Sequence, residues 1–215
     1  MDFIKHIVFD MGGVIVDVRR DEAIRQFNAI GVSDADLQID ANNHQGVFLA
    51  FENGDIDSEE FRRQLSEQAG KNIPMEAVIQ AWRSIISKPP MYKLEYILSL
   101  REKYKIYLLS NNNPIITNWA RIGDFSEAGL PITHYFDTLY LSYEMKCTKP
   151  DRLIYEKMIQ DSGINPSETL FIEDGIHNIN TARELGFQIY HATNGEDWRD
   201  AVTAILRDKE SQFSF

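Results

Sequence analysis

The sequence is poor in cysteine and in long apolar runs. Cys147 is the only cysteine among 215 residues, which excludes an intramolecular disulfide and a zinc site built from several cysteines. No apolar run approaches the roughly 20 residues that a membrane-spanning helix needs, and no basic leader precedes the first apolar run. We therefore expect a cytoplasmic protein that does not use a membrane anchor.

Positive charge is also scarce. The chain has 22 lysines and arginines against 33 acidic residues, a formal net charge of −11, so long-range electrostatics repel nucleic acid and anionic lipid. We expect no nucleic acid and no membrane among its partners, and either a monomer or a homodimer. A small phosphorylated ligand is compatible with this charge, because a bound divalent cation would dominate the local field.

Short apolar runs alternate with helical patterns along most of the chain. Such alternation predicts an α/β fold with a parallel sheet covered by helices on both faces. The predicted strands are IKHIVF, KIYLLS, DTLYLS, ETLFIED and FQIYH, in this order.

The region between the first two strands is helical in pattern, from about residue 20 to 88. Asp57 and Glu60 predict a capping box, and Gly70 predicts the end of the helix that follows. We interpret the apolar stripe of the next helix as helix packing, not as a ligand site. Its members are Met75, Val78, Ile79, Trp82, Ile85 and Ile86.

Polar side chains follow three of the predicted strands. Asp10 ends the first, Ser110 and Asn111 end the second, and Glu173 and Asp174 end a later one. Ligands of parallel α/β sheets gather at the carboxyl ends of the strands. A nucleophile, a hydroxyl and acids at these ends predict a reaction site.

Four segments, HIVFDMGGVIVD, YLLSNNN, KCTKP and FIEDGIHN, resemble in order and spacing the four motifs of haloacid dehalogenase-like hydrolases. The resemblance implies a Rossmann-like core of residues 1–18 and 89–215 with an inserted helical cap, of type 1, over residues 19–88. It also implies an enzyme, a phosphatase acting on a small phosphorylated metabolite.

By this resemblance, Asp10 is the nucleophile and forms an aspartyl-phosphate that water later hydrolyses. The implied cofactor is Mg²⁺, held by Asp10, Asp174 and the carbonyl of Gly12. Glu173 is a further candidate ligand, either direct or through water. Asn178 stands where family members often carry another acid.

The resemblance also implies a phosphoryl-binding set. The hydroxyl of Ser110, the amide of Asn111 and the turn of Gly12 and Gly13 would hold the phosphoryl oxygens. Lys149 would offset the negative charge between the nucleophile and the phosphoryl group.

Gly12 departs from the pattern, because phosphatases of this family usually carry an acid two residues after the nucleophile. Loss of a positioned proton donor costs about 10²- to 10⁴-fold in rate, which favours a substrate with a good leaving group. The DMGGV turn resembles a branch that includes α-D-glucose-1-phosphate phosphatases and epoxide hydrolase N-terminal-like domains. Sugar phosphates, and sugar 1-phosphates among them, are the expected substrates.

Two other functions stay open. The chain could be a catalytically weak or inactive binding or regulatory protein that keeps the fold. It could also be a 2-haloacid dehalogenase, which has the same nucleophile and no magnesium. Adjacent Glu173 and Asp174 argue against a dehalogenase, because their charge near Asp10 needs a cation.

The remaining polar residues have no spacing that predicts a site. We interpret Arg20 as surface charge, although an arginine there could meet a substrate phosphate or hydroxyl. Glu52 belongs to a segment that we interpret as packing, with specificity contacts as the alternative. Cys147, His44, His134 and Trp119 are interpreted as packing or surface residues, and His177 as equally open to either role.

Overall fold

The computed structural model describes residues 3–39 and 44–211, which fold around a five-stranded parallel sheet. The strand order is β3-β2-β1-β4-β5, so the first strand lies in the middle. This confirms the predicted α/β class. The strands are β1 (His6–Phe9), β2 (Lys105–Ser110), β3 (Thr138–Leu141), β4 (Thr169–Glu173) and β5 (Gln188–His191).

The central strands are buried on both faces. Ile7 and Phe9 of β1 pack into one apolar cluster, whereas Val8 packs into a second cluster on the opposite face. Successive side chains of a strand point to opposite faces, so a continuous apolar run is what a doubly covered parallel strand requires.

Helices cover the sheet and fill the insertion between β1 and β2. In the described residues they are α1 (Arg20–Ala29), α2 (Ala35–Gln38), α3 (Gly46–Glu52), α4 (Ser58–Gln68), α5 (Met75–Arg83), α6 (Met91–Leu100), α7 (Pro114–Ala120), α8 (Ser142–Met145), α9 (Arg152–Ser162), α10 (Ile176–Glu184) and α11 (Arg199–Ser211). We call α1 to α5 the helical insertion.

Helix boundaries differ from the predictions at two ends. The predicted stripe of α5 extends to Ile86, but the helix ends at Arg83, and Ile85 and Ile86 lie on the chain that returns to the core. The sequence pattern after β5 predicts a final helix that begins at Glu196, whereas α11 begins at Arg199. In both places an apolar periodicity continues into a non-helical segment that is also packed.

The helical insertion has an aromatic centre. Phe51 stacks on Phe61 with ring centroids 4.4 Å apart, and Phe48 meets Phe61 edge-on at 5.2 Å. Trp82 closes the cluster and is 1% exposed, as its interpretation as a packing residue predicted. Asp57 caps α4 by accepting a hydrogen bond from the Glu60 amide at 2.8 Å, which confirms that helix start.

The chain enters and leaves the helical insertion along two adjacent antiparallel segments. Val18 and Ile86 form an antiparallel bridge, and the amide of Ser87 donates to the carbonyl of Asp17 at 3.1 Å. This pairing fixes where the insertion meets the sheet. None of the helices in the described ranges is long and apolar enough to cross a lipid bilayer.

Candidate active site

Sheet register brings the predicted strand-end residues into one cavity of about 370 Å³. Phe9 pairs with Leu108 of β2 and with Ile172 of β4, so the chain leaves all three strands at the same edge of the sheet. Asp10 and Asp174 line the cavity. It is also lined by Gly12, Ser110, Asn111, Lys149 and Asn178.

Lys149 is buried between two carboxylates. Its Nζ lies 2.8 Å from Oδ1 of Asp10 and 2.6 Å from Oε2 of Glu173. The Lys149 side chain is 1% exposed and that of Glu173 is fully buried. A buried ammonium needs such partners, because an unpaired charge in this environment is strongly disfavoured.

Asp10 and Asp174 have raised pKa values and so hold their protons more tightly than the free acids do. Burial is the main cause that raises the pKa of Asp10 to about 8, and the charge of Glu173 adds to it while Lys149 opposes it. Burial and Glu173 also raise the pKa of Asp174 to about 7. Burial disfavours the charged form of Lys149, but Asp10 and Glu173 outweigh it and raise the pKa of its ammonium.

The donor set fits a hard divalent cation. Asp10, Glu173 and Asp174 each offer a carboxylate oxygen, and these oxygens lie within 4.8 Å of one another. Three carboxyl groups face one ammonium, which leaves negative charge that a cation would relieve. Oxygen donors of this kind suit Mg²⁺.

Glu173 differs from the other two acids because its oxygens are already engaged. Oε1 accepts hydrogen bonds from the amides of Asp174, at 3.1 Å, and Gly175, at 2.8 Å. Oε2 accepts the bond from Lys149. Glu173 does not line the cavity, so the structure positions it behind Lys149.

Gly13 allows the turn after β1 to approach Asp174. Its φ is +73°, a conformation that favours glycine, and a Cβ there would lie 1.9 Å from Oδ2 of Asp174. Gly13 therefore supports the site without lining the cavity. Gly12 does line it, and a Cβ at Gly12 would lie 3.1 Å from Cγ2 of Val18, so a larger residue there would have to displace Val18.

The loop after β2 is tied to the loop that carries Lys149. The side-chain amide of Asn111 donates to the Lys149 carbonyl at 2.9 Å, and the Lys149 amide donates to Oδ1 of Asn111 at 2.7 Å. Asn111 thus positions Lys149 through its side chain, a contact that the sequence did not predict. The Ser110 hydroxyl donates to the Asn111 carbonyl at 3.2 Å.

Asn178 contributes an unused acceptor to the same cavity. Its Oδ1 is buried and has no hydrogen-bond partner among the described residues. Tyr155 donates to the Asn178 carbonyl at 3.0 Å, which fixes the backbone at this point.

The helical insertion also lines the cavity, with side chains that the sequence analysis interpreted as packing or surface residues. Arg20, His44, Glu52 and Trp82 reach it from the helical insertion. The interpretation of His44 as a packing or surface residue is therefore incomplete, since it packs on Trp82 and also lines the cavity. No periodicity or motif marks these side chains, because tertiary packing brings them to the cavity.

Asn194 was also missed, although a signal existed for it. It follows β5, another parallel strand whose end lies at the same edge of the sheet. Its Oδ1 accepts from the Val18 amide at 2.9 Å and its Nδ2 donates to the Val18 carbonyl at 3.1 Å. By contrast, Cys147, His134, His177 and Trp119 lie outside the cavity lining.

Comparisons with known proteins agree with this architecture. Residues 4–186 match the model of the haloacid dehalogenase-like hydrolase family. The chain is 46% identical over 203 residues to a D-ribitol-5-phosphate phosphatase of Bacteroides thetaiotaomicron, covering 94% of this chain and 98% of that protein.

Solved structures of similar proteins share the fold. A HAD-like family hydrolase from Porphyromonas gingivalis superimposes with a TM-score of 0.92 at 42% identity, over 96% of this chain and 99% of that one. A HAD family enzyme of Bacteroides thetaiotaomicron, solved with magnesium and inorganic phosphate, gives a TM-score of 0.84 at 38% identity, over 92% and 98%. The chain therefore belongs to the haloacid dehalogenase-like hydrolase family.

Proposed function

We propose that this protein is a magnesium-dependent phosphatase of a small phosphorylated polyol or sugar. The observation that carries the proposal is the cluster of buried Asp10 and Lys149 with half-buried Asp174 at the edge of the sheet, in a cavity of about 370 Å³. A cavity of this size suits a small metabolite. The similar phosphatase of D-ribitol 5-phosphate and the similar structure with magnesium and phosphate support it.

Asp10 acts as the nucleophile in this proposal. Its carboxylate oxygen forms a bond to phosphorus while the ester P–O bond breaks and the electron pair leaves with the alcohol oxygen. Water then attacks phosphorus and releases Asp10 and inorganic phosphate. When bound, a magnesium ion would supply positive charge that lets the anionic carboxylate and phosphoryl group approach.

Asp10, Asp174 and the Gly12 carbonyl would hold the ion. We assign Glu173 to a different role, because both of its oxygens accept hydrogen bonds from protein donors. Glu173 holds Lys149 beside Asp10, where the ammonium offsets the charge of the transferring phosphoryl group. The three carboxyl groups carry more negative charge than Lys149 offsets, and this excess is the reason that the site needs a cation.

The phosphoryl oxygens would meet the donors of the loop after β2. The Ser110 hydroxyl and the Asn111 amide lie at the carboxyl end of that strand, and both residues line the cavity. Gly13 lets the turn after β1 come close to Asp174. Asn178 would accept a hydrogen bond from a water or a substrate hydroxyl.

Residues 19–88 would act as a cap over residues 1–18 and 89–215. Arg20, Trp82 and the neighbouring residues of the helical insertion would enclose the leaving group, which excludes water during the reaction. D-Ribitol 5-phosphate is the first substrate to test. Release of phosphate from sugar 1-phosphates stays a prediction from the DMGGV turn.

A panel assay tests the proposed function. Phosphate release is measured from polyol phosphates, sugar 5-phosphates, sugar 6-phosphates and sugar 1-phosphates, with Mg²⁺ and with a chelator. We expect release only with Mg²⁺, and none from Asp10→Asn. Silence of the native protein across the panel would favour a binding or regulatory role, and metal-independent chloride release from 2-chloropropionate would favour a dehalogenase.

A further inference from the structure

A carboxyl group from the helical insertion faces the cavity opposite the strand ends. Glu52, the last residue of α3, is 7% exposed and lines the same cavity as Asp10. Its Oε1 lies 3.5 Å from Nε2 of His44, which also lines the cavity. The helical insertion therefore contributes an acid to the same cavity as Asp10.

The position of Glu52 is fixed by contacts with the core. The Ser142 hydroxyl donates to the Glu52 carbonyl at 2.6 Å and accepts from the Asn112 amide at 2.9 Å. Asn112 belongs to the loop after β2 and lines the cavity. One hydroxyl thus joins the end of α3 to the loop that holds the predicted phosphoryl donors.

A close backbone approach supports the same docking. Gly54 has a φ of +71°, and a Cβ there would lie 2.2 Å from the carbonyl oxygen of Tyr143. Lys146 also donates to the Gly54 carbonyl. The segment after Glu52 can pack this closely on α8 only because glycine lacks a side chain.

The surroundings of Glu52 favour its neutral form. Burial raises the pKa of its carboxyl group, and the nearby charges of His44 and Lys149 lower it only in part. Trp82 packs on the His44 ring with centroids 5.7 Å apart. A carboxyl group whose pKa is raised by burial is suited to donate a proton.

We propose that Glu52 is the general acid that protonates the leaving alcohol, the role that Gly12 cannot fill, and that His44 positions its carboxyl group. This inference rests on the proposed phosphatase function. Glu52 would touch the leaving oxygen, whereas His44 acts through Glu52.

The proton balance is complete within the two steps. When Asp10 attacks phosphorus, the ester oxygen takes the electron pair of the breaking P–O bond and the proton of Glu52, which becomes a carboxylate. The alcohol leaves. Water then attacks the aspartyl-phosphate, its proton passes to the Glu52 carboxylate, and Asp10 leaves as a carboxylate.

The test compares two leaving groups in Glu52→Gln, which keeps shape and loses the proton. The leaving group of D-ribitol 5-phosphate is an alkoxide that needs protonation, whereas the leaving group of 4-nitrophenyl phosphate is a stabilised phenolate. We expect kcat for ribitol phosphate to fall about 10²- to 10⁴-fold. For 4-nitrophenyl phosphate we expect a change within about threefold, because that leaving group needs no acid.

Two further variants complete the design. Glu76→Gln, an exposed glutamate of the same insertion, is the matched control and should leave both substrates unaffected. His44→Gln should lower kcat for ribitol phosphate less than Glu52→Gln does, and should spare 4-nitrophenyl phosphate. Turnover of 4-nitrophenyl phosphate also reports that each variant is folded.

Several outcomes would overturn the inference while leaving the phosphatase function intact. Equal loss on both substrates in Glu52→Gln indicates a structural role, and a raised KM for ribitol phosphate with unchanged kcat indicates substrate binding only. If Glu52→Gln does not fold, equal loss on both substrates in His44→Gln overturns it. Failure of the native protein on both substrates would instead overturn the proposed function.

Discussion

The strand ends and the helical insertion build the two sides of one cavity in different ways. At the strand ends, sheet register sets the positions of Asp10 and Asp174, and buried ion pairs fix Lys149. In the insertion, an aromatic cluster and a single hydroxyl bridge through Ser142 fix Glu52. The positions of Asp10, Lys149 and Asp174 therefore depend on the sheet, whereas the position of Glu52 depends on how the helical insertion packs on the core.

The two sides also differ in how their charge is compensated. Lys149 has a carboxylate on either side, at 2.8 and 2.6 Å, so removing it leaves two buried carboxylates without the ammonium that pairs with them. Within the part of the chain that the structure describes, Glu52 pairs with His44 at the longer distance of 3.5 Å. Substitutions at the strand ends should therefore have larger effects than substitutions in the insertion.

The largest effect is expected from Asp10→Asn. An amide cannot form the aspartyl-phosphate, so kcat for D-ribitol 5-phosphate should fall more than about 10³-fold. Phosphate release under saturating Mg²⁺ measures it. Asp21→Asn, at an exposed position of α1, is the control and should keep the native rate. Retained turnover in Asp10→Asn would show that Asp10 is not the nucleophile.

The second-largest effect is expected from Lys149→Met, which should lower both the free energy of unfolding and kcat. Methionine leaves Glu173 buried without its cation, and breaking a buried pair costs about 3 to 5 kcal/mol. Urea unfolding without Mg²⁺ gives the free energy of unfolding. Lys105→Met, at an exposed position of β2, should change it little. Equal stability of the two variants would contradict the buried-pair argument.

Most of the strand-end side of this comparison could be predicted from the sequence. Alternating runs predicted the parallel sheet, and the residue after each run predicted Asp10, Ser110 and Asp174, because parallel strands all end at one edge. Asn194 followed from the same rule and was overlooked. Glu173 was recognised at the right place, but its hydrogen bonds to backbone amides depend on the local turn.

The insertion side could not be predicted to the same depth. Helices and the Asp57 cap were predicted from local patterns. The approach of Glu52 and His44 to the cavity depends on packing between α3 and α8, which are far apart in sequence, and no periodicity encodes it. The apolar stripe through Ile86 predicts a longer helix than α5, because packed positions outside a helix give the same apolar pattern as positions within one.

Ser142→Ala tests the joint between the two sides. The variant leaves the Asn112 amide and the Glu52 carbonyl without their buried partner, which costs about 1 to 3 kcal/mol. Thermal or urea unfolding measures the loss, and kcat for ribitol phosphate should fall more than that for 4-nitrophenyl phosphate. Ser99→Ala, at an exposed position, should do neither. If Ser142→Ala keeps the native free energy of unfolding and the native ratio of the two kcat values, the Ser142 hydroxyl does not position Glu52 for catalysis.

The smallest effect is expected from the pH dependence of Glu52→Gln stability. Burial raises the folded-state pKa of Glu52 above its ordinary value of 4.5, so its stabilising contribution is present below that value and is lost as pH rises through the folded pKa. Glutamine does not titrate. The stability of the variant relative to the native protein should therefore increase as the pH rises through the folded-state pKa of Glu52.

The charges of His44 and Lys149 both act on the Glu52 carboxyl group, and this experiment leaves both residues unchanged. Urea unfolding at a series of pH values gives the difference in unfolding free energy. A difference that is constant with pH would mean that Glu52 titrates alike in the folded and unfolded states, and that burial does not hold its proton.

The central claim is that Asp10 bonds to phosphorus at the strand ends, and trapping the phosphorylated enzyme tests it most directly. The native protein is mixed with D-ribitol 5-phosphate and Mg²⁺, quenched in acid within one turnover, digested and analysed by mass spectrometry. We predict a phosphoryl group on the peptide that contains Asp10, and none in Asp10→Asn. A phosphoryl group on another residue, or turnover with no phosphorylated Asp10 at any quench time, would contradict the account.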